Sequence, residues 1–278
     1  MYIKSFSLCT LLLFFFVSSF QFSYPNDEEN QNKTEKVSAR IIDGWSNANG
    51  EVIGGIEIKL AKGWKTYWRN PGNFGVIPQF DWSQSANLAS IELLWPKPQK
   101  ILSVDNTSFG YSEQVIIPFI ATPKQQNAEN SLVLNLSIGI CKNLCSLKHF
   151  QLRKVINGTG TSDEKDRILD FASSSPVLAP VNLTDSVSCT LERTDKGLLL
   201  KYKIKFKAST SNQEFGILEY NSSKMWIMDQ TSETNNSELT LNANLKHFSD
   251  SFLAFERSLV TLTTVGSKES FEFKGCPS

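Results

Sequence analysis

The chain has 278 residues, with 28 Lys and Arg residues against 28 Asp and Glu residues, a formal charge of zero and 40% hydrophobic residues. This composition is that of a globular protein, and it excludes disordered, collagenous and multi-span membrane chains. The charge balance argues against bulk binding to nucleic acid or to an anionic membrane, because such partners call for a basic excess. At about 150 residues per domain, the length predicts two domains, each able to bury its own core.

The N-terminus has the layout of a secretory signal peptide, which we place at residues 1–23. A single cation, Lys4, precedes an apolar run that ends at Val17 and is followed by small residues. The run is shorter than the roughly 20 apolar residues of a membrane-spanning helix, so we expect no stable membrane insertion after the signal is removed. Cys9 would leave with the signal, and the polar residues 24–38 would form a flexible leader.

Short alternating runs separated by turn signals predict an antiparallel β-sandwich over residues 39–158. Apolar residues alternate with charged residues at 56–60, and they occupy every second position at 132–140. Further β-rich runs lie at residues 64–69, 79–82, 91–95, 115–122 and 150–156. The Asn70-Pro71-Gly72 turn and similar signals separate these runs, a pattern that favours a sandwich over βαβ units.

A short helix and a second, smaller β domain are predicted to follow. The helix covers residues 163–171 in a linker at 159–181, and Thr161 and Glu164 have the spacing of a capping box. Beyond the linker, we predict a β domain over residues 182–278, with β-like runs at 200–206, 215–220, 224–228, 259–264 and 270–273. Lysines alternate with the apolar residues of the first run; they could bind an acidic partner, but such a stripe is more often a solvated strand face.

Removal of Cys9 with the signal would leave four of the five cysteines, which allow three pairings. The domain boundaries favour Cys141 with Cys145 and Cys189 with Cys276. In the chain-entropy model a bridge closing about 88 residues restricts the unfolded chain by roughly 4–5 kcal/mol, and one closing five residues by about 2 kcal/mol. We therefore interpret the long-range pair as structural and the short pair as the better redox candidate.

The strand alternation places Cys141 on the face opposite the apolar side, where a partner thiol could reach it. Lys142 and Lys148 lie nearby in the sequence and could favour the thiolate. Two alternatives stay open: the short pair could be a second structural bridge, or Cys141, Cys145 and His149 could bind a metal ion. The metal site would need a helix where the pattern indicates a strand and a turn.

No enzyme of a different kind is indicated by the motifs. The chain has two histidines, so a Ser-His-Asp or Cys-His arrangement has few possible bases, and no Gly-rich phosphate loop follows a strand. We therefore expect no metal ion and no other cofactor. The tryptophans at positions 64, 68, 82 and 95 could form a sugar-binding platform, but aromatic residues in short strands are more often core.

Several motifs of the first domain resemble those of a known family. In chain order they are Gly63-Trp64-Lys65-Thr66-Tyr67-Trp68-Arg69-Asn70-Pro71-Gly72, Pro78-Gln79-Phe80-Asp81-Trp82, Leu94-Trp95-Pro96, Gly110-Tyr111 with Ile117-Pro118, and Cys141-Lys-Asn-Leu-Cys145. Together they resemble the N-terminal periplasmic (alpha) domain of the thiol:disulfide interchange protein DsbD, in the branch with the ScsB-like and short stand-alone alphaproteobacterial members. The likeness covers about residues 40–158 and, more loosely, the second domain with its terminal Gly275-Cys276-Pro277.

The resemblance implies an immunoglobulin-like sandwich in which Cys141 and Cys145 are a redox-active pair. Members of the family relay electrons by transient mixed disulfides from a membrane-linked, thioredoxin-like partner to periplasmic oxidoreductases. The resemblance also implies a cap loop over the pair at residues 105–111, with Phe109 and Tyr111. We therefore predict a periplasmic thiol–disulfide interchange module. The competing function, from a different class, is a disulfide-stabilised binding or scaffold protein without redox turnover.

Overall fold

The computed structural model of the chain describes residues 36–103, 106–195, 197–207, 212–222, 224–247 and 255–277. The predicted signal peptide, and the predicted leader up to residue 35, lie outside the described residues. The described part of the chain consists mainly of antiparallel β-sheets with a single α-helix, so the predicted all-β class is confirmed. No helix in this part of the chain is long and apolar enough to cross a bilayer.

Ten strands of the described residues form a first β-sandwich. They are β1 (Val37–Ser46), β2 (Val52–Leu60), β3 (Lys65–Tyr67), β4 (Gln79–Asp81), β5 (Leu88–Leu93), β6 (Gln99–Ser103), β7 (Asn106–Ser112), β8 (Gln114–Pro123), β9 (Asn130–Cys141) and β10 (Cys145–Ile156). One sheet has the strand order β1-β2-β8-β5, and the other has the order β10-β9-β3-β7-β6, with β4 paired to β9. Every one of these pairs is antiparallel.

Apolar side chains on the facing sides of the two sheets form the core of this sandwich. The even-numbered residues of β9 from 132 to 140 are at most 1% exposed, which confirms the predicted alternation. They share one cluster with Ile56 and Ile58 of β2 in the facing sheet. Trp68 and Trp95 belong to the same buried cluster, as expected for core aromatic residues.

The predicted helix is present as α1 (Ser162–Ser173), and it begins with the predicted capping box. The Thr161 side chain accepts a hydrogen bond from the backbone N–H of Glu164, and the Glu164 carboxylate accepts one from the backbone N–H of Thr161. The fully buried Ile168 of the helix packs against Ile42 and Ile116 on the outer side of the β1-β2-β8-β5 sheet. The helix thus covers one face of the first sandwich.

Eight further strands of the described residues form a second β-sandwich. They are β11 (Val177–Leu178), β12 (Thr184–Thr194), β13 (Gly197–Phe206), β14 (Gln213–Tyr220), β15 (Met225–Asn235), β16 (Glu238–His247), β17 (Val260–Gly266) and β18 (Ser270–Lys274). The sheet orders are β11-β18-β17-β14 and β12-β13-β16-β15. Lys201 and Lys203 on β13 form ion pairs with Glu192 and Glu238, an arrangement that fits a solvated strand face.

The two sandwiches pack against each other within one compact unit, Glu35–Ser278. Phe215 and Val265 of the second sandwich belong to the buried cluster of the first. Phe109 of β7 stacks on Phe215, with 5.7 Å between the ring centroids and 11° between the planes. Lys97 Nζ donates hydrogen bonds to the carbonyl oxygens of residues 266 and 267. Apolar and polar contacts therefore join the sandwiches.

The strand boundaries differ from the sequence predictions at several places. Strand β1 includes residues 37 and 38, which we had expected in the leader, because Val37 pairs with Leu60 and is only 3% exposed. Strands β1, β6, β7, β11, β12 and β16 were not predicted, and β7 occupies most of the segment where the resemblance implied a cap loop. In β12 one face is largely solvent-exposed and apolar residues are few, so the alternation in its sequence is weak.

Candidate functional site

Cys141 and Cys145 face each other at the tip of the β9–β10 hairpin. Cys141 ends β9, Cys145 begins β10, and the two residues are direct cross-strand neighbours. A disulfide joins them, with 4.1 Å between the Cα atoms. Because β10 is the last strand in the order of its sheet, the pair lies at a sheet edge, where a partner protein can approach it.

The side of the sheet that carries the two cysteines faces away from the core, as the alternation predicted for Cys141. Cys141 is partly exposed and Cys145 is exposed. His149 lies on the same face of β10, where it hydrogen-bonds Ser137 at 2.7 Å. Four residues along a strand span about 13 Å, so His149 and Cys145 do not converge on one metal ion. Among the described residues, no cluster of three or more His, Cys, Asp or Glu side chains could hold a metal ion.

Lysine side chains near the pair differ in their position relative to the sheet. Lys65 is the cross-strand neighbour of Cys141 on β3, so the two side chains share a face. Lys142 lies in the hairpin loop, and its Nζ is 3.4 Å from the carbonyl oxygen of Lys62. Lys148 pairs with Ile138 and therefore belongs to the opposite, core-facing side. The expectation that Lys148 favours a thiolate is thus not supported by its position, whereas Lys65 and Lys142 can act on the pair.

Tyr67, whose motif carried no assigned role in the sequence, brings a polar group into contact with the pair. Its hydroxyl oxygen is 3.7 Å from the Cys145 Sγ. Strand β3 pairs with β9, and Thr66 Oγ1 donates a hydrogen bond to the carbonyl oxygen of Gly139, which ties Tyr67 to the cysteine strand. Burial raises the pKa of Tyr67, so its phenol stays protonated at neutral pH and can donate a hydrogen bond to a thiolate.

A turn at Asn70-Pro71-Gly72 opens the segment that follows β3, which we call the 70–77 loop. Gly72 has φ +75°, the conformation that a type II turn with Pro71 and Gly72 at its centre needs at this position. Asn70 Oδ1 accepts a hydrogen bond from the backbone N–H of Gly72 at 3.1 Å and closes the turn. The sequence signal for this loop was the Pro-Gly pair; its position beside the cysteines was not predicted.

The 70–77 loop lies over Tyr67 and the cysteine strand. A Cβ on Gly75 would lie 2.8 Å from Tyr67 Cδ1, and one on Gly139 would lie 2.7 Å from Val76 Cβ. The backbone of Gly75 therefore lies close to the Tyr67 ring, and the Val76 side chain lies close to the backbone of Gly139. The loop also carries exposed apolar side chains: Phe74 is 60% exposed and Ile77 is 63% exposed. An exposed disulfide is therefore bordered by a phenol, two lysines and an apolar loop.

Comparison with known proteins identifies the first sandwich. Residues 20–155 match the family of the thiol:disulfide interchange protein DsbD, N-terminal. The chain contains a DsbD-N-like domain. The crystal structure of the N-terminal periplasmic domain of ScsB from Proteus mirabilis matches with a TM-score of 0.64 and 18% sequence identity, over 87% of this chain and 92% of that chain. At this identity the match shows the fold. No match was found among curated proteins.

The match confirms the predicted family resemblance and the immunoglobulin-like sandwich, and it covers the cysteine hairpin. Phe109 and Tyr111, which the resemblance implied as cap residues, are both buried. Phe109 is 4% exposed and stacks on Phe215 of the second sandwich. Tyr111 is 5% exposed and donates its hydroxyl hydrogen to the carbonyl oxygen of Pro96. Residue 105 is outside the described residues. The cap role of Phe109 and Tyr111 stays a prediction, and their burial does not favour it.

The second cysteine pair lies outside the DsbD-N-like domain. Cys189 of β12 and Cys276, which follows β18, are joined by a disulfide with 5.2 Å between the Cα atoms. The two residues are 2% and 3% exposed. Because β12 and β18 belong to different sheets, the bridge links the two sheets of the second sandwich. Arg257 donates hydrogen bonds to the carbonyl oxygens of both cysteines.

Proposed function

We propose that this chain is a periplasmic thiol–disulfide interchange module that exchanges electrons with partner oxidoreductases through Cys141 and Cys145. The observation that carries the proposal is the exposed disulfide at a hairpin tip, with the Tyr67 hydroxyl beside one of its sulfur atoms. The DsbD-N-like domain supports the same chemistry. The partners would be thioredoxin-like or membrane-linked redox proteins, reached after export by the N-terminal signal.

Cys145 is the better candidate for the attacking thiol. It is the more exposed of the pair, and Tyr67 can donate a hydrogen bond to its thiolate. In the reduced protein, the Cys145 thiolate attacks one sulfur of a partner disulfide; the partner S–S bond breaks, and the departing partner sulfur takes a proton. Cys141, as a thiolate, then attacks the Cys145 sulfur of the mixed disulfide and releases the second partner thiol. Two electrons and two protons pass to the partner, and the Cys141–Cys145 disulfide forms.

A trapping experiment tests this function. In the cell envelope, Cys141→Ser leaves Cys145 able to form a mixed disulfide that cannot be resolved, so we expect a thioredoxin-like protein to be captured on Cys145. The matched Cys145→Ser variant should capture much less, and the double variant nothing.

Two results would favour the scaffold function instead. One is that neither single variant captures a partner. The other is a Cys141–Cys145 reduction potential below about −300 mV in a protein that no thioredoxin-like donor reduces, which is the behaviour of a structural bridge.

Replacing Tyr67 by phenylalanine removes the hydroxyl beside Cys145 and keeps the ring that packs in the site. We expect the pKa of the Cys145 thiol to rise by about one unit, since hydrogen bonds to charged groups contribute about 1.5–3 kcal/mol and one pKa unit is about 1.4 kcal/mol. The pH dependence of alkylation at Cys145 in the reduced protein measures this shift. An unchanged pH midpoint would show that the 3.7 Å contact has no part in the chemistry.

A further inference from the structure

Arg69 connects the cysteine site to the second sandwich. It follows Tyr67 by two residues, and its Nε and Nη2 atoms donate hydrogen bonds to the Glu219 carboxylate of β14 at 3.0 and 2.7 Å. Nη2 also donates to Glu272 of β18. The guanidinium lies over the Trp68 ring, 4.4 Å from its centroid. One side chain of the first sandwich therefore binds two neighbouring carboxylates of the second.

These ion pairs are partly shielded from water, and the pKa shifts of Arg69 and Glu272 have the directions expected of paired charges. The Arg69, Glu219 and Glu272 side chains are 26%, 22% and 15% exposed. Burial acts to lower the pKa of Arg69, but its bonds to the two carboxylates outweigh that effect and hold the pKa above its usual value. Burial acts to raise the pKa of Glu272, but the pairs with Lys274 and Arg69 outweigh it and lower that pKa.

The next residue in the chain adds a second attachment to β14. Asn70 Nδ2 donates a hydrogen bond to the carbonyl oxygen of Leu218 at 2.7 Å, while its Oδ1 accepts the bond that closes the turn at Gly72. The beginning of the 70–77 loop is thus fixed on the second sandwich. The other end of the loop packs on the Tyr67 ring and over Gly139.

We infer that Arg69 is a positioning residue through which the second sandwich holds the 70–77 loop and Tyr67 against the Cys141–Cys145 pair. The inference gives the second sandwich a role in the proposed exchange function, on which it rests for its biological meaning. The connection runs from the two carboxylates through Arg69 and the loop to the Tyr67 ring, whose hydroxyl lies beside the Cys145 Sγ.

Positioning and a direct charge effect predict opposite changes in the pKa of the Cys145 thiol when Glu219 is neutralised. The charged or titratable side chains beside Cys145 on its face of the sheet are Tyr67 and Lys65 of β3 and His149 of β10, with Lys142 in the hairpin loop. Lys148 of β10 lies on the opposite face. If the Arg69 cluster acted on the thiolate through charge alone, Glu219→Gln would remove a negative charge and lower the pKa of the Cys145 thiol. If the cluster acts by positioning Tyr67, the same substitution loosens the loop and raises that pKa.

The experiment measures the pH midpoint of alkylation at Cys145 in the full chain, with Cys141→Ser as the background and the Cys145 peptide identified by mass spectrometry. We expect Arg69→Gln to raise the midpoint by about 0.5–1 unit, because the hydrogen bond from Tyr67 is weakened but not removed. Glu219→Gln should raise it by a smaller amount. Arg69→Lys keeps the charge but loses the forked hydrogen bonds to Glu219, so it should raise the midpoint as well, whereas a pure charge effect would leave it nearly unchanged. Lys203→Gln, which breaks the exposed pair with Glu238 at 2.9 Å, is the matched control and should leave it unchanged.

Combining Arg69→Gln with Tyr67→Phe tests whether Arg69 acts on Cys145 through Tyr67. In that background Arg69→Gln should produce no further shift; a shift of the same size would overturn the positioning through Tyr67. A melting temperature that falls while the midpoint stays fixed would reduce Arg69 to a structural contact. If Arg69→Gln does not fold, Glu219→Gln carries the test, since it leaves Glu272 on Arg69. The assay needs no protein partner, so the proposed exchange function can fail in the trapping experiment while this inference holds, or the reverse.

Discussion

Replacing both Cys189 and Cys276 by alanine is expected to lower the free energy of unfolding of the second sandwich by about 4–5 kcal/mol, because the bridge closes a loop of about 88 residues. Alanine is preferred to serine at these sites, since the two residues are 2% and 3% exposed and a buried hydroxyl would add its own cost. Amide hydrogen exchange of β13 and β16 at increasing urea concentrations measures this loss of stability within the second sandwich. We expect the Cys141–Cys145 pair to keep its reduction potential.

The matched control is the Cys141→Ala, Cys145→Ala double variant. Its bridge closes five residues, so the same model gives a loss of about 2 kcal/mol. Equal losses in the two double variants would show that loop length does not decide the contribution of these bridges. A changed Cys141–Cys145 reduction potential in the Cys189→Ala, Cys276→Ala variant would show that the disulfide of the second sandwich influences the redox pair.

The fold class could be predicted because some strands have one apolar and one polar face. In β9 and β13 the alternation is clean, and the structure places both strands as expected. Strand β16 has the same alternation at Leu239, Leu241 and Leu245, but the polar positions include Asn242 and Asn244, which are typical of turns. Its central position between β13 and β15 favours the extended conformation over that local preference.

The site could be predicted only in part, for a physical reason. The cysteine hairpin is local in sequence, so spacing and alternation were sufficient to propose the pair and its exposed face. The approach of Tyr67 to Cys145 joins residues 78 positions apart. It depends on which strand pairs with β9, and periodicity indicates only which face of a strand is buried. The same limit explains Phe109, whose burial against Phe215 depends on how the two sandwiches pack.

Trp68 joins the stability of the first sandwich to the cysteine site. It lies between Tyr67 and Arg69 in the chain and is 0% exposed. Trp68→Ala is expected to lower the free energy of unfolding by about 3–5 kcal/mol, the usual loss when a large buried aromatic side chain is removed. Among the described residues its Nε1 has no hydrogen-bond partner, so Trp68→Phe should be much milder. Urea denaturation curves of both variants measure the difference.

The matched control for Trp68 is Trp95→Ala, in the same buried cluster and 9% exposed. Trp95 packs against Phe80, whereas the Arg69 guanidinium lies over the Trp68 ring, so the loss of Trp95 should cost similar stability but leave the pH midpoint of Cys145 alkylation unchanged. Trp68→Ala should raise that midpoint, because the cavity forms beside Arg69 and lets the end of β3 relax. If both variants raise it equally, the shift reports a loosened sandwich, and Trp68 has no particular part in holding Tyr67 at the cysteine pair.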